Sequence, residues 1–186
     1  MTLPDNIHRS AHLSDDRTQR FWLERRWGPH FSWTTPERKA LWIMHNPSAA
    51  DETKDDPTVR RVIEFTQHWG LRGAIIVNLI PHISATPADA HAWEDEGHLT
   101  ECRMYHRTIA MLVDLATAGG YYPIVIAAWG AIARPDDVAR FISEWRGTGR
   151  ELSCIGQTAS GAPIHPLARG RNRPPLADPQ PYWSPS

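Results

Sequence analysis

The sequence predicts an α/β protein: a three-layer αβα sandwich around a mostly parallel four-stranded central sheet, with an extra N-terminal strand or hairpin. Three observations predict it. Four apolar runs, at 39–45, 73–80, 122–130 and 151–156, are separated by stretches of helical character. The second and third runs are nearly continuous in Ile, Val and Ala, the mark of strands buried on both faces. Two of the intervening stretches carry a Pro near the start and a Gly near the stop, the punctuation of a helix. At 186 residues, within the roughly 100–200 typical of one domain, residues 1–186 form a single domain. Its core spans about 19–168, and 1–13 and 170–186 are expected to be irregular termini.

Residues 14–27, "SDDRTQRFWLERRW", admit a helix capped by Ser14 or a strand in which Phe21, Leu23 and Trp27 alternate with polar residues. A strand over 19–27 is preferred, and "GPHFSWTTPE" then turns. "KALWIMH" is the first core strand and stops at Asn46-Pro47-Ser48. "DPTVRRVIEFTQHWG" is a helix opened by Pro57, striped by Val59, Ile63 and Phe65-Thr66, and stopped by Gly70. "GAIIVNLI" is the second strand. "DEGHLTECRMYHRTIAMLVDLATAGG" is a long helix ending at Gly119-Gly120. "YPIVIAAWG", the helix of "RPDDVARFISEWRGTG" and the strand "ELSCIG" follow. The Pro-rich tail wraps the surface.

Composition bounds the function. Apolar residues make up 41% and charged residues 22%, an ordinary globular balance. A net charge of −1 argues against a non-specific nucleic-acid coat. Two cysteines, Cys102 and Cys154, form no disulfide framework. "MTLPDNIHRS" lacks the basic and apolar regions of a secretory leader. No apolar run approaches the roughly 20 residues that span a bilayer. A cytoplasmic protein with no membrane partner is expected; the sequence is silent on oligomeric state.

In open α/β sheets, ligands bind beyond the carboxyl ends of the strands. After the first strand come Asn46, Pro47 and Ser48, then Asp51, Asp55 and Asp56. Asn78 lies inside the second. Trp129-Gly130 close the third. After the fourth come His165 and the arginines Arg169, Arg171 and Arg173. Four strand ends thus supply one edge. Each feature also has a purely structural reading: Asn46-Pro47 starts a turn, Asp55-Asp56 cap a helix, and Arg60 and Arg61 form a solvated helix face. Asn78 is harder to dismiss, because a buried amide needs partners for up to four hydrogen bonds. Tandem arginines at a helix start suit phosphate. Trp42, Trp69 and Trp129 flank the edge and could stack on a planar ring.

Several chemistries drop out. There is no G-x-G-x-x-G after a strand, no P-loop and no G-x-S-x-G elbow. His98, Cys102 and His106 recur every four residues, but they also trace a plain core stripe with Leu99, Ile109 and Val113. No second Cys/His pair follows at zinc-finger spacing. Neither a metal nor a cofactor is expected.

"WIMHNPSAAD", "DDPTVRR", "VNLIP", "VIAAWG" and "CIGQTASGAPIHPL" resemble, in this order, the motifs of the domain of unknown function 1643 family, over roughly residues 19–168. This chain has His45 where that family usually has Leu before the Asn, and Ala49 where it has Thr; His45 is a further possible ligand or proton carrier. More distantly, the same order of features is similar to the uracil-DNA glycosylase superfamily. That resemblance implies a uracil-DNA glycosylase-like sandwich. In it, Asn46 matches the water-positioning residue, Asn78 the base-reading Asn, and Trp129-Gly130 the end of the third strand. His165-Pro166 opens the loop whose His steadies the departing base. Leu167 stands where that superfamily has Ser, and neither a DNA-intercalating residue nor a Gly-rich lead-in is evident.

The resemblance implies a nucleobase- or nucleotide-acting enzyme, of a glycosylase type that hydrolyses an N-glycosidic bond, with nucleic acid or a nucleotide as partner. Asn46, His165 and an acid among Asp51, Asp55 and Asp56 would be catalytic. Pro47, Ser48, Asn78, Trp129 and Gly130 would line the substrate, and Arg60, Arg61, Arg169 and Arg171 would grip phosphates. Two alternatives stay open: a non-catalytic module that recognises a modified base, and a metal-dependent nucleotide hydrolase or transferase using the acids. The sequence names neither the base nor the choice among DNA, RNA and free nucleotide.

Overall fold

A computed structural model describes residues 3–28, 38–118 and 124–183; the side chains of residues 112 and 114–118 are not among those described. The strands are β1 (His8–Leu13), β2 (Arg20–Arg26), β3 (Lys39–Met44), β4 (Gly73–Asn78), β5 (Ile124–Ala127), β6 (Leu152–Cys154) and β7 (Gln180–Trp183). The helices are α1 (Pro57–His68), α2 (Pro87–Trp93), α3 (Leu99–Ala118) and α4 (Pro135–Arg146). One seven-stranded sheet runs in the order β1-β2-β4-β3-β5-β6-β7. β3 pairs in parallel with β4 and β5, and β5 with β6. β2 joins β4 antiparallel, β1 joins β2 antiparallel, and β7 joins β6 antiparallel.

The sheet has seven strands rather than four with an N-terminal strand or hairpin: β1 and β2 form an antiparallel pair at one side, and β1 and β7 fall within the stretches expected to be irregular. β1 is an edge strand with no residue fully buried, so it carries no apolar periodicity to read. β7 contains Pro181, which an edge strand tolerates because its outer N–H has no ladder partner to lose. The helix α2 was also hidden. Thr86 caps it, accepting from Asp89 N at 3.2 Å, and Pro87 stands at its first position. The long helix starts at Leu99 because Gly97, at φ +117°, breaks the preceding turn. The expected turn over 28–37, the stop at Gly119-Gly120 and the first residues of the third run lie outside the described residues, or nearly so.

The side chains of β3 explain the layering. Ala40, Trp42 and Met44 face one side, where Val59, Val62, Ile63 and Phe65 of α1 cover them. Leu41 and Ile43 face the other, against Ile109 and Val113 of α3 and Phe141 and Trp145 of α4. A strand period of two thus buries both faces, and the run reads as continuously apolar. Among the described residues, no helix is long and apolar enough to cross a membrane.

The connection from β3 to α1 is pinned at several points. Asp56 accepts from Val59 N at 2.8 Å and caps α1, whose first residue, Pro57, has no N–H to satisfy. Arg25, 1% exposed, reaches from β2 to donate to Asp55 and to the carbonyls of Asp51 (2.6 Å) and Lys54 (2.9 Å).

Candidate functional site

The parallel register sets Met44 beside Asn78. Backbone bonds carry it past the strand ends: Leu79 N donates to Met44 O and Ala128 N to Ile43 O, each at 2.8 Å. At this edge lies a cavity of about 160 Å³, lined by Arg20, Asn46, Ser48, Asp56, Asn78 and His165 among others. A water takes about 30 Å³ of liquid, so the space suits a few waters or one small planar ring.

Asn78 is 1% exposed. Its Oδ1 accepts from Arg20 Nη2 at 3.1 Å. A guanidinium only donates, so this bond fixes the amide orientation and leaves Nδ2 as the free end, which has no partner. A buried donor without a partner costs about 1–3 kcal/mol. From behind, Asn78 N–H donates to the Tyr105 hydroxyl at 3.2 Å, which in turn donates to Phe21 O at 2.6 Å. Arg20 also donates to Ala50 O at 2.8 Å. Burial lowers its pKa to about 10, so it stays cationic at neutral pH.

His165 is neutral, because burial pushes its pKa down to about 4. Its Nδ1 accepts from Leu167 N at 3.1 Å. The neutral ring therefore carries its proton on Nε2, the end away from that bond. Gly130, at φ +76°, makes the approach feasible: a Cβ there would stand 3.3 Å from the Cβ of His165.

Asp56 lies on the same wall. Its Oδ1 is the α1 cap, and its Oδ2 accepts from Ser48 Oγ at 2.7 Å. Asn46 is more fully engaged. Its Nδ2 donates to Pro47 O at 3.1 Å and Ser84 O at 3.0 Å, and its Oδ1 meets His45 Nδ1 at 2.9 Å. Pro47 is buried, and its carbonyl also receives Ser84 N–H.

The structure thus brings Asn46, Ser48, Asp56, Asn78 and His165 together, with Gly130 backing His165. Other candidates stand elsewhere. Asp51 accepts from Thr53 Oγ1 and Thr53 N, both at 2.7 Å, and from Lys54 N. These bonds hold its carboxyl down at about 2, with Thr53 contributing most. Asp55 sits between Arg9 and Arg25; burial works upward on its pKa, but the two cations outweigh it. Arg61 ties α1 to the C-terminal segment, donating to Glu64 and to Pro174 O, with its guanidinium 4.7 Å from the Phe65 ring centroid. Arg60, Arg169 and Arg171 are exposed. Trp129 packs on Phe141 and Tyr182, 1% exposed, on the α4 side of the sheet. Trp42, wholly buried, stacks on Trp69.

The His98–Cys102–His106 row is dispersed. His98 stacks on Trp93, Cys102 packs with Ile80 and Ala90, and His106 Nε2 donates to Leu79 O at 2.6 Å in the core. Among the described residues, one group of three possible metal ligands does converge: His45, His91 and Asp137. A groove of about 970 Å³ opens between α3 and the β2–β4 face. Its walls are mostly apolar, and its two hydroxyls are already engaged, Tyr105 between Phe21 and Asn78 and Thr108 at Met104 O.

Arg20 is the residue that sequence reasoning missed. It comes from an antiparallel strand, so a rule about the carboxyl ends of parallel strands does not reach it. Its one signal was a cation heading the apolar "RFWL".

The buried imidazoles make stability depend on pH. Burial holds His165 and His106 at about 4, whereas an unfolded histidine titrates near about 6.5. Between these values the unfolded chain binds more protons, so stability is full above about pH 6.5 and falls toward pH 4. His45 and His91 are lowered too and act in the same sense; Glu94, raised to about 7 by burial and by Asp137, acts in the opposite one. The thermal midpoint is expected to drop from pH 7 to pH 5, and to drop less in His106→Gln. Equal drops in both proteins would contradict the assignment.

A mixed α/β sheet with helices on both faces and a small polar cavity at the carboxyl edge of its parallel strands defines the class. The chain belongs to the family described as protein of unknown function DUF1643, whose profile matches residues 20–167. That span contains every residue lining the cavity, from Arg20 to His165. No significant match is found among curated proteins or among solved structures.

Proposed function

We propose that the cavity takes a single nucleobase and that the protein hydrolyses its N-glycosidic bond. One observation carries this reading: two donors, Asn78 Nδ2–H and His165 Nε2–H, are fixed in orientation on the wall of a ring-sized cavity. Donors of this kind suit the carbonyl oxygens of a base. When the bond breaks, negative charge moves onto the base, and pre-oriented donors meet it without reorganising. Arg20, bonded to Asn78 Oδ1, polarises the amide in the helpful direction.

In this scheme a water oxygen bonds to the anomeric carbon as the C–N bond breaks, and the bonding pair leaves with the base. Asp56 takes the water's proton, and the base anion picks up a proton from solvent. The parallel core and its carboxyl-edge cavity are read as uracil-DNA glycosylase-like in arrangement. If the base belongs to a nucleic acid it must be turned out of its stack, and the exposed Arg60, Arg169 and Arg171 would meet phosphates. A cytoplasmic location fits such a substrate.

A second reading is a base-recognising module without chemistry. It is favoured by Asn46, whose amide is already bonded to Pro47, Ser84 and His45 rather than free to hold a water. The metal-dependent reading through the acids loses support, because Asp51 caps its own turn and Asp55 is enclosed by Arg9 and Arg25. Incubation with nucleosides and with single- and double-stranded oligonucleotides carrying uracil, mismatches and modified bases, followed by mass spectrometry of free base, separates these readings. Release abolished by Asp56→Asn is expected. Binding without release from any substrate would make the protein a recognition module.

A further inference from the structure

We propose that His45, His91 and Asp137 form a binding site for one divalent transition-metal ion of the zinc class, behind the loop that carries Asn46. The three come from three elements: His45 follows β3, His91 lies on α2 and Asp137 on α4. Their ligand atoms lie within 4.8 Å of one another. His45 Nε2 stands 2.8 Å from His91 Nε2, and His91 Nε2 stands 3.7 Å from Asp137 Oδ2. Two ligand atoms at tetrahedral positions around zinc, with bonds of about 2.0–2.1 Å, are about 3.3 Å apart, so these two separations bracket that value.

The surrounding hydrogen bonds leave the right lone pairs. Asn46 Nδ2 is bound to two carbonyls, so its Oδ1 faces His45 and can only accept. His45 therefore carries its proton on Nδ1 and turns the Nε2 lone pair toward His91. A ligating histidine commonly donates its other ring N–H to an oxygen in this manner. Asp137 is 1% exposed; its Oδ1 accepts from Arg140 at 2.5 Å, and its buried Oδ2 has no hydrogen-bond partner. Arg140 also bonds Glu94, so it holds the carboxylate from the outer side.

Within the trio, one shared proton does not serve all three atoms. A proton on His91 Nε2 satisfies His45 and leaves Asp137 Oδ2 unpaired. A cation gives all three lone pairs one partner. Two imidazoles and a carboxylate are a common zinc donor set, and three protein ligands leave a fourth position for water or substrate. His91 is partly exposed, so an ion can enter from its side. Burial lowers both imidazole pKa values, which favours the neutral, ligating form.

The test uses the untagged full chain, freed of metal by a chelator. Zn²⁺ is titrated by calorimetry and Co²⁺ by visible absorption, with no nucleotide present, so the result is independent of the glycosidase reading. One equivalent per chain and the intense visible bands of a four- or five-coordinate cobalt site are expected. His91→Ala and Asp137→Asn should each weaken binding at least ~100-fold, beyond the 10–100-fold typical of outer-sphere changes. His91→Ala, on a partly exposed position, leaves the core intact, and circular dichroism checks both variants. Absence of stoichiometric binding to the wild-type chain, or binding that both folded variants retain, would overturn the proposal.

Discussion

Asn78→Asp is expected to slow base release by roughly 10²–10³-fold, the loss typical of removing one pre-oriented donor from developing negative charge. The substitution is nearly isosteric and keeps an oxygen for Arg20 Nη2, so the buried guanidinium retains its partner. What changes is the unpartnered end, which the proposed base would meet, where a carboxylate oxygen replaces an N–H. A carbonyl that accepted a hydrogen bond there now meets a repelling acceptor. His165→Ala should cost a similar factor, because it removes the Nε2–H that Leu167 orients through Nδ1. The double variant is expected to fall short of the product of the two, since both donors face one ligand in a cavity of about 160 Å³. Single-turnover release measured by mass spectrometry checks these effects. Rates within twofold of wild type in both variants would remove both residues from the chemistry.

Arg25→Ala is expected to lower stability by about 3–5 kcal/mol, the cost of breaking a buried ion pair by removing one partner. Arg25 is 1% exposed and the Asp55 side chain 5%. Without Arg25, Asp55 keeps only Arg9, whose side chain is a third exposed. The carbonyls of Asp51 and Lys54 lose their donor as well, so the loop entering α1 is released from β2. Asp56 and Ser48 belong to that loop, and the cavity wall should loosen with it. Asp55 is held below its ordinary pKa, so this contribution is present at neutral pH and fades as the pH falls through its folded value. Urea unfolding of both proteins at pH 7 measures the difference. A loss under about 1 kcal/mol, the worth of an exposed pair, would show that the loop is held by other contacts.

The parts legible in the sequence share one property: burial imposed a pattern on them. β3 and β4 read as strands because both faces are packed, and Asn78 stood out because an amide inside such a run requires a partner. Asp56 and Pro57 marked a helix start through their chemistry alone. β1 and β7 went unread because half-exposed edge strands impose no such pattern, and Pro181 disguised the second. Arg20, and the meeting of His45 with His91 and Asp137, were illegible for another reason. Each depends on elements distant in the chain meeting in space, for which spacing along the sequence leaves no trace. Arg61 shows the reverse case. Its position at a helix start invited a phosphate, whereas the fold uses it to fasten the C-terminal segment at Pro174.

The most direct measurement is calorimetric titration of free nucleobases into the wild-type protein and into Asn78→Asp. At least one carbonyl-bearing base is predicted to bind with one-to-one stoichiometry, and Asn78→Asp to weaken it at least ~10-fold, about the 1.4 kcal/mol that one hydrogen bond to a buried group supplies. Failure of every base to bind the wild-type protein, or binding indifferent to Asn78→Asp, would contradict a base pocket built on Asn78 and His165.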